Sequence, residues 1–200
     1  IQLNENAAAQ QHFLDVCALV GHPPPAAFDP TGERFAFEAP ADKPGGYHGR
    51  ADVWYKDRFI WEYKGLRADL DAAYQQLQLY RESLGNPPLL ITSDLRRIVI
   101  HTNFTNTIGE VYDLDLHDLA DAAKLDLLRR VFHGDTDGFK PKRTREAETR
   151  ARADDLLQVA NTLQAWARAE GEPLPAERLA HFLIRLLFCL FAEDLGLLPE

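Results

Sequence analysis

The chain has no methionine, only two cysteines, and no uninterrupted apolar run of the ~18 residues that a membrane span needs. The longest apolar stretch, Phe182 to Ala192, is short and broken by Arg185. No basic leader with a small-residue cleavage site opens the sequence. The missing methionine leads us to expect that residue 1 is not the natural start. Cys17 and Cys189 are far apart, each in an apolar helical context, which suggests two buried thiols in a reducing cytoplasm rather than a disulfide framework. There is no excess of positive charge: the formal net charge is −9. There is also no Gly-x-Ser-x-Gly and no glycine-rich phosphate loop, which removes support for acyl transfer and nucleotide hydrolysis. The seven histidines repeat no metal-box spacing, so zinc is not expected.

What remains is an ordinary globular balance, 46% hydrophobic and 26% charged over 200 residues. The basic residues are unevenly placed. Lys140, Lys142, Arg143, Arg145, Arg150 and Arg152 form one run, opposed by Glu146 and Glu148. Arg50, Lys56, Arg58, Lys64 and Arg67 form another group. Either could give an acidic protein a locally positive surface, although a basic run is also what a solvated helix face looks like.

Periodicity predicts a helix over 5–19, closed by Gly21 and the prolines 23–25. A short strand is expected around Phe35 and Phe37, followed by a Pro- and Gly-rich loop over 39–49. Two strands, 51–55 and 59–63, read as a hairpin joined by Lys56-Asp57-Arg58. A helix over 69–84 follows, then strands at 89–92 and 98–101 and a helix over 116–132. Residues 134–142 read as a linker. Two long helices are expected over 144–169 and 175–195. The second is so apolar that it should bury itself against something. The expected organisation is therefore an α/β domain over 1–138 and the beginning of an all-helical segment over 139–200.

The chemistry concentrates in the hairpin. Residues two apart on a strand share a face, so Glu62 and Lys64 should point the same way, with Asp52 on the neighbouring strand. Two carboxylates beside an ammonium make a hard oxygen site for a divalent ion. Charges within the apolar runs Val53-Trp54 and Phe59-Ile60-Trp61 break the strand pattern, a conflict typical of functional sites. Gln76 and Tyr80 lie four apart on one helical face and could order the lysine.

Together these residues resemble the PD-(D/E)xK nuclease signature, and Gln76 with Tyr80 resembles the QxxxY element of its RecB-like branch. The phrases Gln11-His12-Phe13-Leu14-Asp15, Gly49-Arg50-Ala51-Asp52-Val53-Trp54, Trp61-Glu62-Tyr63-Lys64-Gly65 and Ala73-Tyr74-Gln75-Gln76-Leu77 are similar to the N-terminal nuclease of MmeI-like type IIL restriction–modification enzymes. Asn86-Pro87-Pro88-Leu89 and Thr102-Asn103-Phe104 extend the likeness, and Phe182 to Pro199 resembles the start of the helical spacer in those enzymes. The motif's proline is replaced by Ala51.

The resemblance implies a mixed central sheet flanked by helices, followed by an all-helical segment. It implies Asp52, Glu62 and the Tyr63 carbonyl as ligands of Mg2+, for which Mn2+ could substitute, and Glu5 as a further acidic residue. Lys64 would be the catalytic lysine, supported by Gln76 and Tyr80. The implied partners are double-stranded DNA and the methyltransferase and target-recognition domains of a longer cytoplasmic chain. S-adenosylmethionine would serve only the methyltransferase. Cleavage of two strands implies transient dimerisation. Arg50, Lys56, Arg67, Lys140, Lys142 and Arg143 are candidate DNA contacts. A non-cleaving scaffold that binds DNA or holds a modification module in place is the alternative.

Overall fold

In the computed structural model the backbone is described for residues 2–43, 47–134 and 136–194, and the side chains for all of these but 2–5, 43, 47 and 194. The chain divides into two compact units, Ile1–Lys142 and Arg143–Glu200.

The first unit is a six-stranded mixed sheet flanked by helices. Its elements are α1 (Gln2–Val20), a short helical turn α2 (Pro25–Phe28), β1 (Phe35–Lys43), β2 (Tyr47–Tyr55), β3 (Phe59–Tyr63), α3 (Leu70–Tyr80), β4 (Leu89–Ser93), β5 (Arg97–Thr102), β6 (Val111–Asp115) and α4 (Ala122–Phe132). The strands lie side by side in chain order. All neighbours are antiparallel except β3 and β4, which are parallel and joined through α3. A parallel pair needs such a crossover, and its strands are covered on both faces. Every residue of β3 and β4 is accordingly buried.

Strand alternation builds two cores. On one face, Phe13, Val16, Cys17 and Val20 of α1 and Leu128, Val131 and Phe132 of α4 pack on Phe59, Trp61 and Tyr63. On the other, Leu77 and Tyr80 of α3 pack on Ile60, Leu90 and the small residues Ala39, Ala41 and Ala51. Each large side chain removed from water in this way contributes about 1.5–3 kcal/mol. Asp69 caps α3 by accepting the Asp71 and Ala72 amides, which fixes where the helix starts over the sheet.

Several expectations need correction. The loop expected over 39–49 is mostly strand: β1 runs on to Lys43 and β2 begins at Tyr47. Pro40 is tolerated because β1 is the edge strand, where a missing N–H breaks no inner ladder. The helix expected over 116–132 is a 3-10 turn, Leu116–Ala120, followed by α4, with Asp121 capping the second. Strand β6 was not expected at all. The segment 134–142 holds a 3-10 turn, Thr136–Phe139, and Phe139 is fully buried in the first core.

The second unit holds α5 (Arg145–Ala169), capped by the Thr144 hydroxyl, and α6 (Ala176–Asp194). α6 does not bury its apolar surface within the described residues: Phe182, Ile184, Phe188 and Phe191 are all more than half exposed. Cys17 is buried, whereas Cys189 on α6 is exposed. Among the described residues no helix is long and apolar enough to cross a membrane.

Candidate active site

A change of side-chain facing in the β1–β2 hairpin builds the site. Phe37 and Val53 join the first core, while Ala39 and Ala51, two residues along each strand, join the second. Regular alternation would keep each pair on one face. Between the paired positions Phe37↔Val53 and Ala39↔Ala51 stand Glu38 and Asp52. Glu38 has φ 52°, in the left-handed region that non-glycine residues seldom adopt. The β2–β3 ladder ends at Val53↔Trp61. Beyond it the Tyr63 amide donates to Asp52 Oδ2 at 2.6 Å. The carboxylate thus takes over a backbone partner and is held against the end of β3.

Phe59, Trp61 and Tyr63 point into the first core, so Glu62 points the other way, beneath α3. It meets Gln76, whose Nε2 donates to Glu62 Oε1 at 2.7 Å and to the Tyr80 hydroxyl at 3.1 Å. Lys64 Nζ donates to the same Glu62 oxygen at 3.0 Å and to Gln76 Oε1 at 3.0 Å. The amide can face only one way: turned over, its NH2 would confront the ammonium. Glu62 Oε2 is buried and has no hydrogen-bond partner. Lys64 is itself placed by its backbone, whose N–H donates to Ser93 O at 2.9 Å. Asp52, Glu62, Tyr63 and Lys64 line an open cleft of about 480 Å3, walled further out by Gly65, Leu66 and Leu95.

Burial dominates the electrostatics. It pushes the Glu62 carboxyl up, to about 7, helped by the charge of Asp52 and opposed by Lys64. Burial likewise raises Asp52, opposed by the Tyr63 amide and reinforced by the charge of Glu38. Holding two buried carboxylates beside a single ammonium is costly. Among the described residues no three His, Cys, Asp or Glu side chains form a group that could hold a metal ion. The donor set is therefore two carboxylates and nearby backbone, which suits an ion that keeps several of its waters.

Sequence reasoning missed two contributors. Glu38 shares with Asp52 a recess of about 10 Å3, room for one water, lined also by Asn6 and Gln10. Nothing in the sequence points to Glu38, because only strand register sets it opposite Asp52. Gly49 is the second. A Cβ there would run into the Tyr80 hydroxyl and lie 2.9 Å from ring carbons Cε1 and Cζ. A glycine inside a strand pattern is a sequence signal for such close approach. Tyr63 is anchored from below, its hydroxyl 2.9 Å from His12 Nδ1.

No known protein family matches the sequence, and no curated protein does. One solved structure it resembles is a DrdV–DNA complex determined by cryo-EM. The two are 23% identical, with a TM-score of 0.36; the match covers 86% of this chain and 18% of that one. The present chain thus spans less than a fifth of that chain's length, and so loose a likeness supports no inference about function.

Asp52, Glu62, Tyr63, Lys64, Gln76 and Tyr80 are brought together; none of the five basic candidates of the first unit is among the residues that line the cleft. Arg50 is exposed on β2 and Lys56 lies past the other end of that strand. Arg67 sits three residues beyond Lys64, its amide donating to Asp94 Oδ2 at 3.2 Å. Lys140 and Lys142 are exposed near the end of the first unit. Arg143 belongs to the second unit and is paired with Glu148 at 2.7 Å. The side chain of Glu5 lies outside the described residues.

Proposed function

We propose that the first unit is a magnesium-dependent endonuclease domain hydrolysing phosphodiester bonds in duplex DNA. The carrying observation is Glu62 Oε2: a buried carboxylate oxygen without a partner, beside Asp52 and Lys64 at the head of an open cleft. A buried carboxylate oxygen left without a partner is expensive even when its twin is paired with Lys64, and a bound hard cation would offset that cost. Asp52, Glu62 and the Tyr63 carbonyl would hold Mg2+ or Mn2+. When bound there, the ion would polarise the scissile phosphate and acidify a coordinated water.

The chain's own groups do the rest. An ammonium has three protons, and Glu62 and Gln76 take two of those on Lys64. The third is left for the attacking water or for charge developing on the phosphoryl oxygens. Gln76 spends both amide hydrogens and its oxygen inside the site, so it can serve only to orient Lys64 and Glu62. In the reaction, water oxygen bonds to phosphorus and gives up a proton to solvent as the bond to the leaving deoxyribose oxygen opens, and that oxygen takes up a proton from solvent. DNA as substrate is supported by the likeness of the hairpin and α3 phrases to MmeI-like enzymes. On that reading the chain belongs to a longer restriction–modification protein, and the second unit begins its helical spacer.

Calorimetric titration with Mg2+ and Mn2+ is the first test. Saturable binding that vanishes in Asp52→Ala is expected; equal behaviour of the two proteins would sink the metal site. Plasmid nicking should be lost in Lys64→Ala. Metal binding without nicking in the full-length protein would favour the scaffold alternative.

A further inference from the structure

At the turn of the β2–β3 hairpin is an open cavity of about 300 Å3, lined by Arg34, Tyr55, Lys56, Asp57, Arg58, Gly134 and Thr136. Among the described residues its lining holds three cationic side chains and one carboxylate. None of the three is in an ion pair among the described residues. The cavity does not touch the candidate active site, which is lined by other residues.

The cations sit on a fixed frame. The backbones of Arg34 and Lys56 lie side by side where the β1–β2 ladder continues, the Lys56 amide donating to Arg34 O at 2.7 Å. Asp29 does not neutralise Arg34. Its carboxylate is taken up by the amides of Thr31, Arg34 and Phe35 and by the Thr31 hydroxyl. Arg58 is held by donating to Val131 O at 3.3 Å and to Gly134 O, and its guanidinium lies over the Tyr55 ring, 5.4 Å from the centroid. Those two bonds cap the end of α4. They use two of the five N–H groups of a guanidinium, the Tyr55 side chain engages another, and the rest remain as donors. Thr136 adds a hydroxyl at the rim. A pre-placed arginine, two further cations and a hydroxyl around an open space suit a phosphoryl oxyanion, where planar N–H pairs and charge act together.

We propose that this cavity is a phosphate-binding site separate from the cleft at Glu62. The phosphoryl group could come from the backbone of duplex DNA or from a free phosphate compound, and the same experiment distinguishes the two. Pyrophosphate and a short duplex are titrated in turn into the protein, with amide chemical shifts of Lys56, Arg58, Gly134 and Thr136 as the readout. Arg34 and Lys56 are exposed, so Arg34→Ala/Lys56→Ala should fold as wild type. Losing a charge-assisted bond weakens binding by about tenfold. The double variant should therefore bind pyrophosphate at least that much more weakly, while the charge-matched control Arg168→Ala/Arg178→Ala, at two exposed arginines, stays unchanged. Asp52→Ala should bind as wild type, which separates this site from the metal reading. Weakening of both probes identifies the DNA backbone as occupant. Weakening of pyrophosphate alone identifies a free phosphate compound. Absence of saturable pyrophosphate shifts, or shifts equal in wild type and double variant, overturns the proposal, as does an effect on DNA alone, which would indicate diffuse charge attraction.

Discussion

Glu62 is held in the site at a cost that depends on pH. Its carboxyl is raised from an ordinary 4.5 to about 7 by burial first and by Asp52 second. A carboxyl raised in the folded state binds protons there that the unfolded chain has already released. Stability from this group is therefore fully present below pH 4.5 and is lost as pH rises through 7, by an amount on the order of 3 kcal/mol. His12, His22 and His101, each lowered chiefly by burial, act in the opposite sense. The wild-type curve alone would mix these effects, so the comparison must be with Glu62→Gln. Metal-free Glu62→Gln should lose less stability than wild type between pH 5 and pH 8, as followed by calorimetric Tm. Excess Mg2+ should restore wild type at pH 8 and leave the variant unmoved. Parallel pH profiles for the two proteins would show that Glu62 is not the strained group. Much of this site was legible in the sequence, because Glu62 and Lys64 interrupt apolar strands two residues apart. The environment that raises Glu62 was not, since it depends on how α3 closes over the sheet.

At the level of elements, the hairpin and α3 are interlocked through one residue without a side chain. Tyr80 lies against Gly49, and its hydroxyl receives the Gln76 amide. Gly49→Ala would force the buried ring aside, at a cost of about 1–3 kcal/mol, and pull Tyr80 from Gln76. The loss should appear in thermal unfolding together with weakened metal binding. In a Tyr80→Leu background, where the colliding ring atoms are gone, the same substitution should cost much less. Additive costs in that double-mutant cycle would rule out the interlock. The strands that escaped sequence reasoning did so for physical reasons. Pro40 reads as a loop signal, yet β1, an edge strand, tolerates it. β6 is an edge strand too, and its Val-Tyr-Asp-Leu-Asp pattern leaves only Leu114 buried. Short edge strands carry little apolar signal because one side has no neighbour. The central strands β3 and β4 were plain for the opposite reason, being apolar runs covered on both faces.

For the molecule as a whole, both cores and every linked residue of the site fall within Ile1–Lys142. The second unit shows how far an apolar pattern can be read. The apolar character of α6 was evident in the sequence, but its exposure was not, because a pattern says which face is apolar and not what covers it. A unit of 142 residues is large enough to bury a core of its own, and here it buries two, one on each face of the sheet. Residues 1–142 produced alone should therefore unfold in one cooperative calorimetric transition. The heat-capacity change should be about 2 kcal/mol/K, from ~12–15 cal/mol/K per residue. Mg2+ should raise the Tm of this fragment, since a ligand that binds only the folded state stabilises it by mass action, and Asp52→Ala should abolish the rise. A broad, non-cooperative transition would mean that the sheet needs residues beyond 142 to fold. A cooperative transition that Mg2+ does not shift would leave the fold argument standing and remove the metal from it.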